Sequence, residues 1–294
     1  HNRLRSDTDG TPTTSNESLK SFDSDGFTLG TQQNVNASAN NDNSFVSWSW
    51  KAGGGSGSAN TDGSIDTEST SVSTTAGFSI SKYTGNATNG ATVGHGLGVV
   101  PDMIIGKDLS DTSAWCVWHK DLTNAGYRLT LSTTAAQSDD TALFGGSSRT
   151  APTSTVFSLG SGGGLNGSND NLVYCFAGVQ GYSKFGSYSG NGNADGPYIH
   201  TGFRPAFTMI KRIDSTNDWM MGDNKITTFN PKDGMMRANL SNVELSTNPV
   251  DYLANGFKIR LTGNAFNNSS GTYIFMAFAE NPFVTSEGVP GNAG

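Results

Sequence analysis

The sequence predicts an all-β chain built of tandem β-sandwich units of about 100 residues, two complete and one partial at the N-terminus. Three observations predict this class. Only 15% of the residues are charged, and 38 are Gly, so turns and short strands are favoured over helices. Apolar residues alternate with polar ones over short runs. Finally, a stretch near the middle of the chain occurs again about a hundred residues later.

The clearest repeat is "GLGVVPDMIIGKDLSDTSAW" at 96–115, which returns as "GFRPAFTMIKRIDSTNDW" at 202–219. Placing Pro101 on Pro205 fixes an offset of 104, and the same offset brings Lys107 to Lys211 and Trp115 to Trp219. A Tyr-x-Gly-Asn pattern also appears in each copy, upstream of the Pro. Two successive units of similar size follow from this match.

The N-terminal part carries only the end of such a unit. Residues 24–54 have Gly-Phe with an alternating strand, an Asn-rich turn and then aromatic residues, as the later units have at their ends. Together with a first residue that is not Met, this predicts processing or a longer parent sequence. The predicted organisation is a truncated first repeat at 1–54, a Gly/Ser-rich linker at 55–76 that turns into a candidate edge segment, a second repeat at 77–182, a third repeat at 183–284 and a tail at 285–294.

Individual strands follow from side-chain patterns. "GFKIRLTG" alternates apolar and polar residues, so it predicts a half-buried strand beginning near Gly256. "FVSWSWKA", "LVYCFAGV" and "TYIFMAFAE" carry apolar or aromatic residues on both faces, and we expect central strands there. Cys116 and Cys175 lie within aromatic runs, which favours two buried thiols over a disulfide bridge.

Composition excludes several functions. The net charge is -7 without any basic cluster, so we expect no nucleic-acid partner. No apolar stretch reaches the roughly 20 residues of a membrane span, so we expect a soluble chain without membrane insertion. No nucleophile elbow, phosphate loop or zinc spacing occurs in the sequence, and we expect neither a cofactor nor a metal.

Several segments resemble the long, repetitive β-rich virion proteins of marine tailed bacteriophages, described as tail-fibre or capsid-associated. The likeness rests on "GFSISKYTGNATNGATVGHGLGVVPDMIIGK", "NGFKIR" and "GTYIFMAFAENPF", and it extends from about Phe22 to Phe283. It implies a non-enzymatic structural protein on the particle surface, either tail fibre or spike, or head fibre or decoration. We expect it to form a homo-oligomer, with a trimer as one arrangement, and to contact other virion proteins.

A carbohydrate-binding module is the alternative. It would contact host surface glycans through exposed aromatic and Asn side chains, and the candidate contact residues are Trp118, His119, Asn40 and Asn41. A third alternative, a polysaccharide depolymerase, would need two carboxylates held at a fixed distance. Acidic residues are spread over many turns, so the sequence identifies no such pair, and we expect no enzyme.

Overall fold

A computed structural model describes residues 2–37, 44–247 and 249–282. Strands account for nearly all of its regular structure, and the only helix among the described residues has four residues. The elements are β1 (Asn2–Arg3), β2 (Thr13–Thr14), β3 (Leu19–Phe22), β4 (Phe27–Leu29), β5 (Ser69–Ser73), β6 (Phe78–Thr84), β7 (Thr92–Gly94), β8 (Met103–Asp108), β9 (Cys116–His119), β10 (Tyr127–Thr130), β11 (Ser138–Asp139), β12 (Val156–Ser158), α1 (Gly163–Asn166), β13 (Asp170–Phe176), β14 (Ser183–Ser189), β15 (Tyr198–His200), β16 (Pro205–Arg212), β17 (Met220–Asp223), β18 (Met236–Arg237), β19 (Val250–Leu253), β20 (Gly256–Ile259) and β21 (Thr272–Ala279).

The all-β prediction is confirmed, and the named strands pair in an antiparallel sense. A seven-stranded sheet has the order β11-β10-β9-β8-β13-β6-β5, and a five-stranded sheet has the order β14-β21-β16-β17-β18. The succession β9-β8-β13-β6 therefore matches β17-β16-β21-β14. Each large sheet is accompanied by a small one, β12-β7 or β15-β20-β19. The number of sandwich units stays a prediction.

Two of the three predicted central strands are central in their sheets. β13 lies between β8 and β6, and β21 lies between β14 and β16. Predicted alternation is also found in β20, where Phe257 and Ile259 are buried and Lys258 is half-buried. Cys116 and Cys175 are free and buried, as expected.

The large sheets are covered on both faces because alternate residues of a strand point to opposite sides. On β8, Met103 and Ile105 belong to a core that also contains residues of the third repeat, which we call the central core. Ile104, between them, belongs to a separate core formed by the second repeat together with Ile65 of the preceding linker. The third repeat has a matching core of its own, which includes Ile210 and Phe257.

Within the predicted linker, Ser69–Ser73 forms edge strand β5, because buried Thr70 and half-buried Val72 pack inward from a β-prone run. One prediction for the N-terminal part is wrong. "FVSWSWKA" forms no strand and pairs with no sheet among the described residues. Its Trp48 and Trp50 are half-buried against the central core, and the alternating Ser47 and Ser49 are exposed.

The recurring Tyr-x-Gly-Asn pattern holds each repeat together. Tyr83 donates its hydroxyl proton to the Leu165 carbonyl at 2.8 Å, and Tyr188 donates to the Phe266 carbonyl at the same distance. The next residue in each case is a fully buried asparagine, Asn166 or Asn267. Its side chain binds the backbone of the Gly-Asn turn, which joins the two halves of the repeat.

The Pro-led strands and their Trp residues make contacts between repeats. The Trp219 indole donates to the Thr130 carbonyl in the second repeat at 2.9 Å. The Trp115 indole donates to the Arg5 carbonyl in the N-terminal segment, also at 2.9 Å. The contact between the N-terminal segment and the second repeat is therefore similar to the contact between the second and third repeats.

The repeated lysine is structural in both copies. Lys107 and Lys211 are fully buried, and each ammonium group donates to the backbone carbonyl of the following residue, at 2.7 and 2.6 Å. Burial lowers the pKa of Lys211 to about 8. These carbonyls end their strands, so the two lysines supply donors where the sheet pairing stops.

Candidate functional site

Of the predicted contact set, Trp118 and His119 form no surface in the described structure. Trp118 and His119 are neighbours on β9, but they point to opposite faces of the sheet and are only 5% and 1% exposed. Trp118 packs in the core of the second repeat. A sugar could not stack on either ring in this fold, so the structure does not support the two residues as glycan contacts. Asn40 and Asn41 lie outside the described residues.

His119 is instead a buried, uncharged group beside the central core. It lines a small gap together with Met103, Met209 and Trp219. Its Nδ1 atom accepts the Asp121 backbone N–H at 3.1 Å, and Nε2 has no hydrogen-bond partner among the described residues. Burial lowers the pKa of His119 to about 4. The imidazole is therefore neutral at pH 7, with its proton on Nε2.

A polar cleft with a volume of about 490 Å³ lies where the second repeat passes into the third. Asp102, at the start of β8, forms one side. The connection that leads from β13 into β14 forms the floor, and the residues at the end of β15 form the other side. The lining residues are Asp102, Gly178, Gln180, Gly181, Ser183, Lys184, Phe185, His200, Thr201 and Gly202.

Several polar groups of this cleft are held in place by the backbone. The Asp102 carboxylate accepts the Gly178 N–H at 2.6 Å, and burial raises its pKa. The Lys184 ammonium donates to the His200 carbonyl at 2.8 Å. The side chains of Gln180 and His200 make no hydrogen bond within the described part of the chain. Fixed donors and acceptors thus stand beside groups that are open to a ligand.

An aromatic ring stands next to these groups. Tyr198 is 47% exposed, and its ring centroid lies 6.5 Å from that of His200, two residues further along β15. Both side chains point to the exposed face of the strand. An exposed aromatic ring beside oriented polar groups is an arrangement suited to a sugar, which has apolar faces and a rim of hydroxyls.

This cleft was difficult to predict from the sequence, because His200 falls at nearly the same place in its repeat as His95. His95 is fully buried, and its Nδ1 atom accepts the Leu97 N–H at 3.2 Å. The two histidines differ in the strand that contains or precedes them. β15 reads Tyr-Ile-His, with both outer residues exposed, whereas β7 reads Thr-Val-Gly. This difference between the two strand sequences is the signal that could have indicated the cleft.

The described residues contain no cluster of three or more His, Cys, Asp or Glu side chains placed to hold a metal ion. None of the helices in that part of the chain is long and apolar enough to cross a membrane.

Comparison with known families gives one result. A domain of unknown function, DUF7483, matches residues 1–282, and the chain therefore belongs to this family. The match takes in the N-terminal segment together with the second and third repeats. No curated protein and no solved structure matches the chain significantly.

Proposed function

We propose that the chain is a non-enzymatic structural protein of a phage virion, exposed on the particle as a tail fibre, spike, head fibre or decoration. The observation that carries the proposal is the repeated contact between successive parts of the chain. Trp115 to Arg5 and Trp219 to Thr130 are the same hydrogen bond made twice. Construction by repetition of one β-rich unit around a shared core suits a stable particle component, and the resemblance to repetitive virion proteins agrees with it.

Quantitative mass spectrometry of purified particles tests this proposal. The expected result is a fixed copy number per particle that matches a symmetric position, with immunogold labelling at one place on the particle. Such a number would also support homo-oligomers and contacts with other virion proteins. Absence of the chain from particles of a phage that encodes it would overturn the proposal.

A second candidate function is binding of host surface glycans at the cleft between the second and third repeats. Tyr198 favours it, because its exposed ring adjoins the open polar groups of Gln180 and His200. Recognition there would combine stacking on the ring with hydrogen bonds to the rim of the sugar.

A glycan array with the full chain tests the second candidate. We expect Tyr198→Ala to weaken binding of the best glycan about tenfold or more, since a stacking partner is lost. Phe229→Ala is the matched control, because Phe229 is 73% exposed and lies outside the cleft. Equal binding by both variants, or no glycan bound at all, would reject this candidate.

A further inference from the structure

One edge of the large sheet is covered in the second repeat and open in the third. In the second repeat, β6 lies between β13 and the edge strand β5. Its counterpart in the third repeat, β14, pairs with β21 alone among the described strands. β14 is seven residues long, so its outer edge offers a row of unpaired backbone donors and acceptors to a further strand.

The two repeated tyrosines show which residues of β6 and β14 correspond. Tyr83 and Tyr188 make matching hydrogen bonds, as described above. Setting one tyrosine on the other places Ser79 of β6 on Lys184 of β14. Both residues lie on the same side of their strand as the tyrosine, because each is an even number of residues away. Ser79 and Lys184 therefore hold equivalent positions.

A glycine after the first strand of each small sheet also recurs. Gly96 follows the end of β7 by two residues, and Gly202 follows the end of β15 by two residues. Both have a positive φ, 72° and 86°. Each is followed by a buried apolar residue, Leu97 or Phe203. The two glycines are therefore equivalent as well.

In the second repeat, β5 fills the space between these two positions. Val72 of β5 is paired with Ser79 in the sheet. A Cβ atom at Gly96 would lie 3.4 Å from the Thr70 side chain and 3.5 Å from that of Val72. Thr70 also shares a hydrogen bond of 2.9 Å with Ser81 of β6. β5 thus closes the gap between the large sheet and the small one.

In the third repeat, no described strand fills this space. Lys184 and Gly202, which correspond to the two neighbours of Val72, both line the polar cleft of about 490 Å³. Within 4 Å, a Cβ atom at Gly202 would meet only the His200 Nε2 atom, at 3.9 Å. Tyr188 is half-buried, although the matching tyrosine of the second repeat is fully buried. The cleft is therefore the place that β5 takes in the second repeat.

Lys184 determines which charge a strand in this place should carry. Its ammonium group donates to the His200 carbonyl, and it forms no ion pair with any of the described residues. A residue at the place of Val72 would stand directly opposite Lys184, as Val72 stands opposite Ser79. Opposite charges in a cross-strand pair stabilise the pairing. The strand that fits best therefore carries Asp or Glu at this position.

We propose that the outer edge of β14 and the cleft form a docking groove, which we call the strand groove, for an extended, acidic polypeptide segment. The segment would pair antiparallel with β14, as β5 pairs with β6, and would place a carboxylate opposite Lys184. It comes from a different protein, because β5, the strand of this kind in the chain itself, is already paired over all five of its residues.

The strand groove goes beyond the proposed virion role and does not depend on it. The copy number of the chain in particles can be fixed whether or not a peptide binds, so the two proposals fail separately. The segment and the glycan of the second candidate function are alternatives for one cleft. The unpaired backbone edge of β14 and the place of β5 in the second repeat favour the polypeptide.

Labelled peptides of residues 66–75, added to the full chain, test the strand groove by fluorescence anisotropy. This peptide contains β5, and Val72→Glu in the peptide places a carboxylate opposite Lys184. We expect saturable binding of the Val72→Glu peptide and about threefold weaker binding of a Val72→Lys peptide. Lys184→Glu in the chain should reverse this order. Lys184→Met, which removes the charge and keeps a long side chain, should abolish the difference.

Lys225→Glu is the matched control, because Lys225 is an exposed lysine outside the cleft. It should leave the order of the two affinities unchanged. Amide hydrogen exchange in 183–189 should slow when the peptide is bound, since backbone pairing protects amides and a sugar ring would not form it.

Three results would overturn the proposal. One is the absence of saturable peptide binding, or an order of affinities that Lys184→Glu and Lys184→Met leave unchanged. Another is binding of a glycan that needs Lys184 while no peptide binds, which would assign the cleft to a sugar. The third is self-association of the chain that Lys184→Glu abolishes, which would assign the strand groove to a second copy.

Discussion

The second and third repeats place different residues at one equivalent position facing the central core. His119 stands opposite Met103 in the sheet of the second repeat, and Asp223 stands opposite Phe207 in that of the third. Asp223 accepts hydrogen bonds from the Trp48 indole at 3.0 Å and from two backbone N–H groups at 2.7 and 2.8 Å. His119, by contrast, leaves Nε2 without a partner among the described residues.

The difference shows which contacts the duplication preserves. Groups that close a repeat upon itself are the same in both copies, as with the buried asparagine and the tyrosine hydroxyl. Among the groups that face another part of the chain, the Trp115 and Trp219 indoles are kept. His119 and Asp223 differ, because there each copy meets a different neighbour. Substitutions at matched positions should therefore lower the free energy of unfolding equally where the side chain closes its own repeat. At His119 and Asp223, which face other parts of the chain, the two effects should differ.

The largest expected effect concerns the buried asparagines. Asn166→Ala and Asn267→Ala should each lower the free energy of unfolding by about 4 kcal/mol, because several buried backbone groups lose their partners at once. Chemical denaturation measures this change. Asn36→Ala, at the corresponding asparagine of the N-terminal segment, should cost less than about 0.5 kcal/mol, since Asn36 is exposed. A marked difference between Asn166→Ala and Asn267→Ala would contradict the equivalence of the two repeats.

The next effect is a pH dependence confined to the second repeat. The folded-state pKa of His119, about 4, lies below the ordinary value of 6.5, so the unfolded chain binds more protons between these pH values. Stability should therefore fall by up to about 3 kcal/mol as the pH drops from 6.5 to 4. His119→Gln should remove this part of the acid sensitivity, as measured by denaturant midpoints at each pH.

His200→Gln is the control for that experiment, because it makes the same substitution at an exposed histidine and leaves the buried imidazole of His119 in place. Identical pH profiles for the parent chain and His119→Gln would show that the imidazole does not titrate inside the fold.

A smaller effect is expected at the repeated tyrosines. Tyr83→Phe and Tyr188→Phe each remove one hydroxyl donor and keep the ring, so each should cost about 1 kcal/mol. Thermal unfolding of the two variants provides the comparison. Unequal losses of stability would mean that the two hydroxyls contribute differently, although their hydrogen bonds to Leu165 and Phe266 have equal lengths.

The smallest effect concerns exposed ion pairs, which differ between the repeats. Lys82 pairs with Glu68 and Asp170 in the second repeat, and Lys258 pairs with Asp195 in the third. Glu68→Gln and Asp195→Asn should each leave the midpoint of chemical denaturation nearly unchanged, because solvent screens these pairs. A clear shift of the midpoint for Asp195→Asn, whose side chain is 79% exposed, would contradict this expectation.

The sequence was most informative where local pattern and burial agree. Apolar residues on both faces correctly predicted the central strands β13 and β21. Alternation of apolar and polar residues correctly predicted β20. It failed for "FVSWSWKA", because a strand also needs neighbours to pair with, and a pattern cannot report their absence. The prediction failed for Trp118 and His119, because an aromatic residue next to a histidine has the same sequence pattern on a surface and in a core. The cleft at Tyr198 depends on distant segments that meet only after folding.

The central core has a consequence for how the chain unfolds. In a linear array, each repeat adds its own stability and can melt separately. Here the second repeat, the third repeat and the half-buried Trp48 and Trp50 share one apolar interior. Removing any contributor would expose the rest to water, so heat should melt the described parts together. Calorimetric and van't Hoff enthalpies would then agree, and a protease nick in the connection at 177–182 would release neither half.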